Sequence, residues 1–368
     1  MMEGSVIADR PTLNTAKLET ASEVKLSQLA QALQDAGGAE ILRQALRWQQ
    51  QGRRVAIATV IASWGSAPRP VGSKLAVAED GEFAGSVSGG CVENAVITAA
   101  LACIADGAPR VLEYAGDAKF PWEVGLPCGG TIRVYVEMLS AKFAAALYAR
   151  DQGHVIASIT NLETGGYAQM TGQSTSGDAE VLRQAQEVWP ESSSAWRTQL
   201  ISAEGGDLFI DVHRPALRLM IVGATHLAQS LSAMAALYGY DVVIIDPRAA
   251  YLTAERFAAK ILVPDAPGEA LAALRPDAAT AVIAVSHDPK IDDPALIAAL
   301  RSEAFYIGAL GSRKSHEARR LRLGEAGFDD AAFARIHGPV GLSIGAVSPP
   351  EIAGAILAQI TQILRSKE

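Results

Sequence analysis

Two textures of apolar and polar positions divide the chain. Through about residue 213 the apolar runs are short, rich in Val, Ile and Ala, and broken by Gly-, Pro- and Ser-bearing turns. Their β-branched content predicts buried strands over 54–63 and 74–78, a turn at Glu79-Asp80-Gly81-Glu82, and a returning strand over 83–87. A further strand over 132–138 follows the same rule, as do hairpins over 155–170 and 197–212 that turn at Gly165-Gly166 and Gly205-Gly206. Apolar residues at helical spacing predict helices over 39–51, 92–104, 141–151 and 179–188. From Leu217 apolar runs at 217–222, 241–245, 260–263, 281–285 and 304–307 alternate with helical patterns at 227–238, 294–302, 316–326 and 350–364. The last helix opens on Ser348 with Glu351 three residues later and proline in its first turn, a capping box. This alternation is the pattern of a doubly wound parallel sheet. The expected architecture is α/β: a mixed α/β unit with hairpins over 26–215, then a Rossmann-like doubly wound unit over 216–368. Residues 1–25 are polar without a clear period and read as a tail.

Composition narrows the function classes. The chain has 368 residues, 49% hydrophobic and 20% charged, which suits compact folded units and leaves no need for disorder. Its formal net charge of −8 argues against a nucleic-acid partner, although basic residues gather at 313–322 and leave room for a small anion. No apolar run is long enough to span a membrane, and no basic-then-apolar leader opens the chain. Three cysteines, Cys91, Cys103 and Cys128, make a poor disulfide framework. A reducing, cytoplasmic setting without membrane or nucleic acid is the expectation.

The chemistry concentrates in Ser88-Gly89-Gly90-Cys91-Val92-Glu93, where a glycine turn delivers a cysteine to the start of a helix. A thiol in a helix's first turn meets unpaired N–H groups and a positive dipole, which favour the thiolate, a nucleophile and a soft-metal ligand. The same N–H groups of Gly89 and Gly90 are placed to hold an anion. Cys103, inside an apolar helix, is explained by packing. Cys128, in Pro127-Cys128-Gly129-Gly130, would form a two-thiolate site if it lay near Cys91, and geometry decides that. Ser66 and Arg69 add a hydroxyl and a cation in Gly65-Ser66-Ala67-Pro68-Arg69.

A second set of polar residues falls at strand ends of the C-terminal unit, the edge where open α/β sheets bind ligands. A strand, the turn Gly223-Ala224-Thr225-His226, a helix, and Asp246 ending the next strand make the skeleton of a dinucleotide site. Thr225 replaces the glycine that normally lets a pyrophosphate approach, so fold is better supported than NAD(P) binding. Ser286-His287-Asp288 follows another strand, Ser312 is placed to cap the next helix while Arg313 and Lys314 are placed to meet a phosphate or carboxylate, and His337 opens a glycine-rich loop. Read alone, these residues leave open an NAD(P)-dependent oxidoreductase with His287 as acid or base, a cysteine-nucleophile enzyme using Cys91, and a non-catalytic binding protein.

Taken in order, the motifs resemble those of the xanthine dehydrogenase accessory proteins, the XdhC/CoxI family. The matching segments are Gly65 to Arg69 with Gly72, Ser88 to Glu93, Cys128-Gly129-Gly130, Val222 to His226 with Asp246 and Arg248, His287-Asp288, Tyr306 to Lys314 and His337 to Leu342. The resemblance implies a chaperone for the molybdenum cofactor, molybdopterin or its dinucleotide form. Such a chaperone would favour the sulfurated cofactor and deliver it to a xanthine dehydrogenase-like enzyme, working with a cysteine desulfurase. It implies that Cys91 holds the cofactor and ligates its metal. It also places Gly89, Gly90, Ser66, Arg69, Cys128, Gly223, His226, Asp246, His287, Arg313 and Lys314 among the candidate cofactor contacts, with a homo-oligomer as a possible state. A nucleotide half would fall in the C-terminal strand-end crevice, facing Cys91.

Overall fold

The computed structural model describes residues 26–67, 69–115, 129–189, 196–258 and 260–365, with side chains from residue 38 onward. Cys128 and Pro68 lie outside the described residues.

The first sheet contains β1 (Val55–Trp64), β2 (Lys74–Ala78), β3 (Phe83–Gly85), β4 (Arg110–Ala115) and β5 (Thr131–Met138), in the order β3-β2-β1-β5-β4. All its pairings are antiparallel. Helix α1 (Leu26–Gln50) covers one face, burying Leu42, Ala45 and Trp48 against Ile57, Ala76 and Ala78. Helix α2 (Glu93–Asp106) covers the other, packing Val96, Ala100 and Cys103 on Ala58, Val77 and Val134. Alternate residues of one strand therefore serve two cores, as a strand covered on both faces requires.

A second antiparallel sheet, in the order β8-β7-β6-β10-β9, follows α3 (Ala141–Asp151). Its strands are β6 (Ile156–Asn161), β7 (Tyr167–Thr171), β8 (Thr175–Gly177), β9 (Gln199–Ala203) and β10 (Gly206–His213), with α4 (Ala179–Val188) packed on β6 and β7. A buried polar layer joins the two sheets. Lys74 Nζ donates to Asp211 Oδ2 at 2.7 Å, and His213 Nε2 lies 3.3 Å from the same oxygen. Lys142 reaches Glu137 at 2.6 Å and the Thr160 hydroxyl at 2.9 Å. Burial disfavours both carboxylates. Lys74 and His213 hold Asp211 well below its usual range, whereas at Glu137 burial prevails over Lys142 and raises the carboxyl.

The third sheet is parallel throughout. Its strands are β11 (Arg218–Val222), β12 (Asp241–Ile245), β13 (Ile261–Val263), β14 (Thr280–Ala284), β15 (Tyr306–Ala309) and β16 (Ile336–His337). Their order, β13-β12-β11-β14-β15-β16, is the doubly wound one, with a switch point between β11 and β14. Helices α5 (His226–Leu237) and α10 (Pro349–Arg365) fill one face. Helices α6 (Pro267–Leu274), α7 (Pro289–Leu300), α8 (Arg313–Glu325) and the short α9 (Asp330–Phe333) lie on the other. Helix α10 also packs against α1, tying this unit to the first. No described helix is long and apolar enough to cross a membrane.

Several expectations shift. The strand expected over 83–87 ends at Gly85, and the helix expected from 92 begins at Glu93, so Cys91 stands two residues ahead of the helix rather than in its first turn. The helix read as starting at Pro294 begins at Pro289, with Asp288 as its cap and Pro294 inside it. Helix α1 begins well before 39, across the Gly37-Gly38 pair that local propensity disfavours. Strand β4 escapes the pattern because it is a half-exposed edge strand with no clean apolar face. The Glu351 half of the capping box on α10 is present, with Val347 and Ser348 N–H donating to its carboxylate at 2.9 and 2.8 Å. Ser312 caps α8 through a hydrogen bond from Ser315 N–H.

Candidate functional site

The loop from Ser86 to Val92 is built around one carboxylate. Glu93 accepts hydrogen bonds from the backbone N–H groups of Val87, Ser88, Gly89 and Gly90 and from the Ser86 and Ser88 hydroxyls. The Ser88 hydroxyl accepts in turn from Cys91 and Val92 N–H, at 3.0 Å each. A chain that curls its N–H groups around a single point needs left-handed residues, and Gly89 (φ +80°) and Gly90 (φ +113°) supply them. Burial works against the Glu93 charge, but the hydrogen bonds from Ser86, Ser88 and the backbone prevail and hold its carboxyl at about 2. The anion cradle read from the sequence therefore exists, but the protein's own Glu93 fills it. Cys91, at the crest of the loop, is exposed.

This carboxyl ties the loop to acidity. A folded value of about 2 against an ordinary 4.5 gives a contribution that is complete above pH 4.5 and lost as pH falls from 4.5 toward 2. The size is on the order of 3 kcal/mol. Glu93→Gln should lose about that much stability at neutral pH and flatten the acid limb of the unfolding curve. Hydrogen exchange at the amides of residues 87–90 should accelerate in the variant, and unchanged exchange would refute the role given to the carboxylate.

The other N-terminal motifs converge on the same end of this core. Ala67 packs against the cluster that contains Val87 and Val92. Gly130 approaches the Ala67 backbone so closely that a Cβ there would lie 2.6 Å from Ala67 N. The Gly65–Arg69 turn and the Gly129-Gly130 end of the third motif thus touch. Ser66 and Arg69 are exposed.

Beside the loop lies a cleft of about 500 Å³, lined on one side by Arg69, Ser73, Lys74 and Ser86 and on the other by Leu237 and Tyr238. Ser86 belongs to both features, since its hydroxyl donates to Glu93 and accepts from Gly89 N–H at 2.8 Å. No local pattern announces this cleft, because its walls come from residues some 150 positions apart that only tertiary packing brings together.

The C-terminal candidates gather separately, at the carboxyl edge of the parallel sheet. Gly223 lies against the Ser286 backbone across the switch point. Asp246, expected to take a ribose, is 0% exposed and already engaged. It accepts from Ala224 N–H at 2.7 Å and from Arg248 at its backbone N–H, Nε and Nη2, at 2.7–2.9 Å. Arg248 stacks on Tyr251 with its guanidinium carbon 4.4 Å from the ring centroid. Thr225 caps α5 by accepting from Ala228 N–H at 3.3 Å. The donors and the acceptor that a dinucleotide would use are therefore satisfied internally. Titration with NAD(H) and NADP(H) should give no saturable heat, and micromolar binding of either would show that the Asp246–Arg248 pair opens.

His226, Arg313 and Lys314 are exposed on this edge, and His287 is an exposed non-glycine residue at φ +66°. Helix α5 reaches the cleft with its far end, Leu237, eleven residues or roughly 17 Å along the axis from His226. The structure gathers Gly89, Gly90, Cys91, Ser66 and Arg69 around one end of the first core, and Gly223, His226, Asp246, His287, Arg313 and Lys314 at the carboxyl edge of the parallel sheet. Glu93, Ser73 and Ser86 are site residues that sequence reasoning passed over. Only Glu93 carried a signal, as the acid that closes a serine-glycine-glycine turn.

Comparison with known proteins agrees with this organisation. A model described as the XdhC Rossmann domain matches residues 219–360, and one described as the XdhC and CoxI family matches residues 48–115. The molybdenum cofactor insertion chaperone PaoD of Escherichia coli (strain K12) is 31% identical over 329 residues, covering 89% of this chain and 89% of that protein. A probable xanthine dehydrogenase subunit of Bacillus subtilis (strain 168) is 26% identical, covering 83% of this chain and 92% of its own length. A crystal structure described as a xanthine dehydrogenase from Bacillus halodurans shares the fold at a TM-score of 0.74 and 24% identity, over 89% of this chain and 96% of that one. With near-full-length likeness to PaoD and both family models in their expected places, the chain belongs to the XdhC and CoxI family.

Proposed function

We propose that this protein binds the molybdenum cofactor through Cys91 and hands it to a xanthine dehydrogenase-like molybdenum hydroxylase, without catalytic turnover of its own. The observation that carries the reading is the exposed Cys91 thiol on a loop pinned by Glu93. Among the described residues no group of three or more His, Cys, Asp or Glu side chains is placed to hold a bare metal ion. A single soft donor suits a metal that arrives with its own ligands, as molybdenum does on a pterin dithiolene. One thiolate bond holds such cargo and still lets it go. The name of the PaoD relative supports the same role.

In the finer form of this reading, the sulfurated cofactor is the preferred cargo and a cysteine desulfurase is an upstream partner. The exposed loop leaves Cys91 open to both donor and acceptor proteins. A catalytic cysteine is less well supported, because no base is hydrogen-bonded to the Cys91 thiol among the described residues. The test is to purify the chain from a host that makes the cofactor, measure molybdenum and pterin per chain, and mix the loaded protein with a cofactor-free client. Wild type should carry both and activate the client. A chain free of both, made alongside active cofactor-loaded enzymes, would contradict the proposal.

A further inference from the structure

We infer that the cleft between the first sheet and the end of α5 is a binding site for a flat heterocycle carrying a phosphate, such as the organic half of a pterin cofactor; the choice of pterin rests on the function proposed above. The volume of about 500 Å³ lies within the range of roughly 300–1,000 Å³ typical of small-molecule sites. Its chemistry is two-sided. Arg69 is exposed at the cleft and makes no hydrogen bond or ion pair among the described residues. Ser73 also lines the cleft, and its hydroxyl makes no hydrogen bond to the protein among the described residues. Together they offer a cation and a donor to a phosphate.

Lys74 does not compete for that anion, because its ammonium is held by Asp211 and by the Gly72 carbonyl at 3.1 Å. Across the cleft, Leu237 and Tyr238 are exposed and adjacent, and the Tyr238 ring offers a face to a planar ring. Ser86, already donating to Glu93, keeps an acceptor lone pair for a ring N–H. Because Ser86 also bonds Gly89, a ring in the cleft lies next to the loop that carries Cys91.

The experiment uses the full chain and three probes: neopterin monophosphate, neopterin and inorganic phosphate, with pterin fluorescence anisotropy for the first two and competition for the third. Wild type should bind neopterin monophosphate saturably and neopterin more weakly, with inorganic phosphate competing poorly. Arg69→Ala, a surface change with little risk to folding, should weaken neopterin monophosphate about tenfold and leave neopterin nearly unchanged. Tyr238→Ala should weaken both pterins. Equal binding by Arg69→Ala and wild type, no pterin binding at all, or inorganic phosphate binding as tightly as the pterin phosphate would each overturn the inference. Leu321→Ala, an exposed change on α8 away from the cleft, should bind all probes as wild type does. Loss of the molybdenum result with intact probe binding would refute the Cys91 reading alone, and the reverse pattern would refute the cleft alone.

Discussion

Replacing Cys91 by alanine is expected to strip the protein of molybdenum and pterin while leaving its fold intact. The side chain is exposed, and the hydrogen bonds that shape the loop run through Glu93, Ser86, Ser88 and backbone N–H groups, none of them through sulfur. Exposed substitutions of this kind usually stay within about 0.5 kcal/mol, so Tm should barely move. Cofactor retention should fall by at least about tenfold, the change that follows from losing as little as about 1.4 kcal/mol of metal–thiolate binding. Elemental analysis and pterin fluorescence on matched preparations provide the check. A variant that keeps its molybdenum, or that loses it only because it unfolds, would not support the thiol's assigned role. Glu93→Gln should give an intermediate result, because it loosens the loop without removing the sulfur.

The largest effect on stability is expected at the polar layer between the two antiparallel sheets. Lys74→Met leaves Asp211 buried beside His213 without its strongest partner. Breaking a buried pair from one side typically costs about 3–5 kcal/mol, because the remaining charge is stranded. The sign with pH follows from the depressed Asp211 carboxyl: its contribution is present above the ordinary carboxylate range and is lost as the solution is acidified below it. The wild-type chain should therefore lose this contribution in acid, and Lys74→Met should already lack it at neutral pH. The double replacement Lys74→Met with Asp211→Leu should recover most of the loss, since an apolar pair of similar volume carries no desolvation penalty. Urea denaturation of the four proteins measures the cycle. A single-variant loss below about 1 kcal/mol would show that the layer contributes little.

Much of the fold was legible because hydrophobic period and turn chemistry agree. Lys74–Ala78, Ala141–Asp151 and Ala179–Val188 form where their patterns predict them, and the alternation after Leu217 gives a parallel sheet in doubly wound order. The motif at Ser88–Glu93 was visible, but its internal wiring was not. A carboxylate five residues after a serine reads as a solvated helix start until the loop's left-handed glycines show it folding back. Asp246 misled in the same way: position along the chain matched a ribose ligand, while Arg248, two residues on, neutralises it. The cleft was invisible because Arg69 and Tyr238 are neighbours only through the packing of α10 against α1 and α5. Local pattern carries elements and turns; pairing of charges across elements and the shape between domains belong to tertiary structure.

A bond between the Cys91 sulfur and the cofactor's molybdenum underlies the proposed role, and molybdenum K-edge X-ray absorption on the loaded protein reads that bond itself. One sulfur ligand beyond those of the dithiolene and terminal groups is expected in wild type, absent in Cys91→Ser loaded at saturating cofactor. Identical metal–sulfur shells in the two proteins would contradict it.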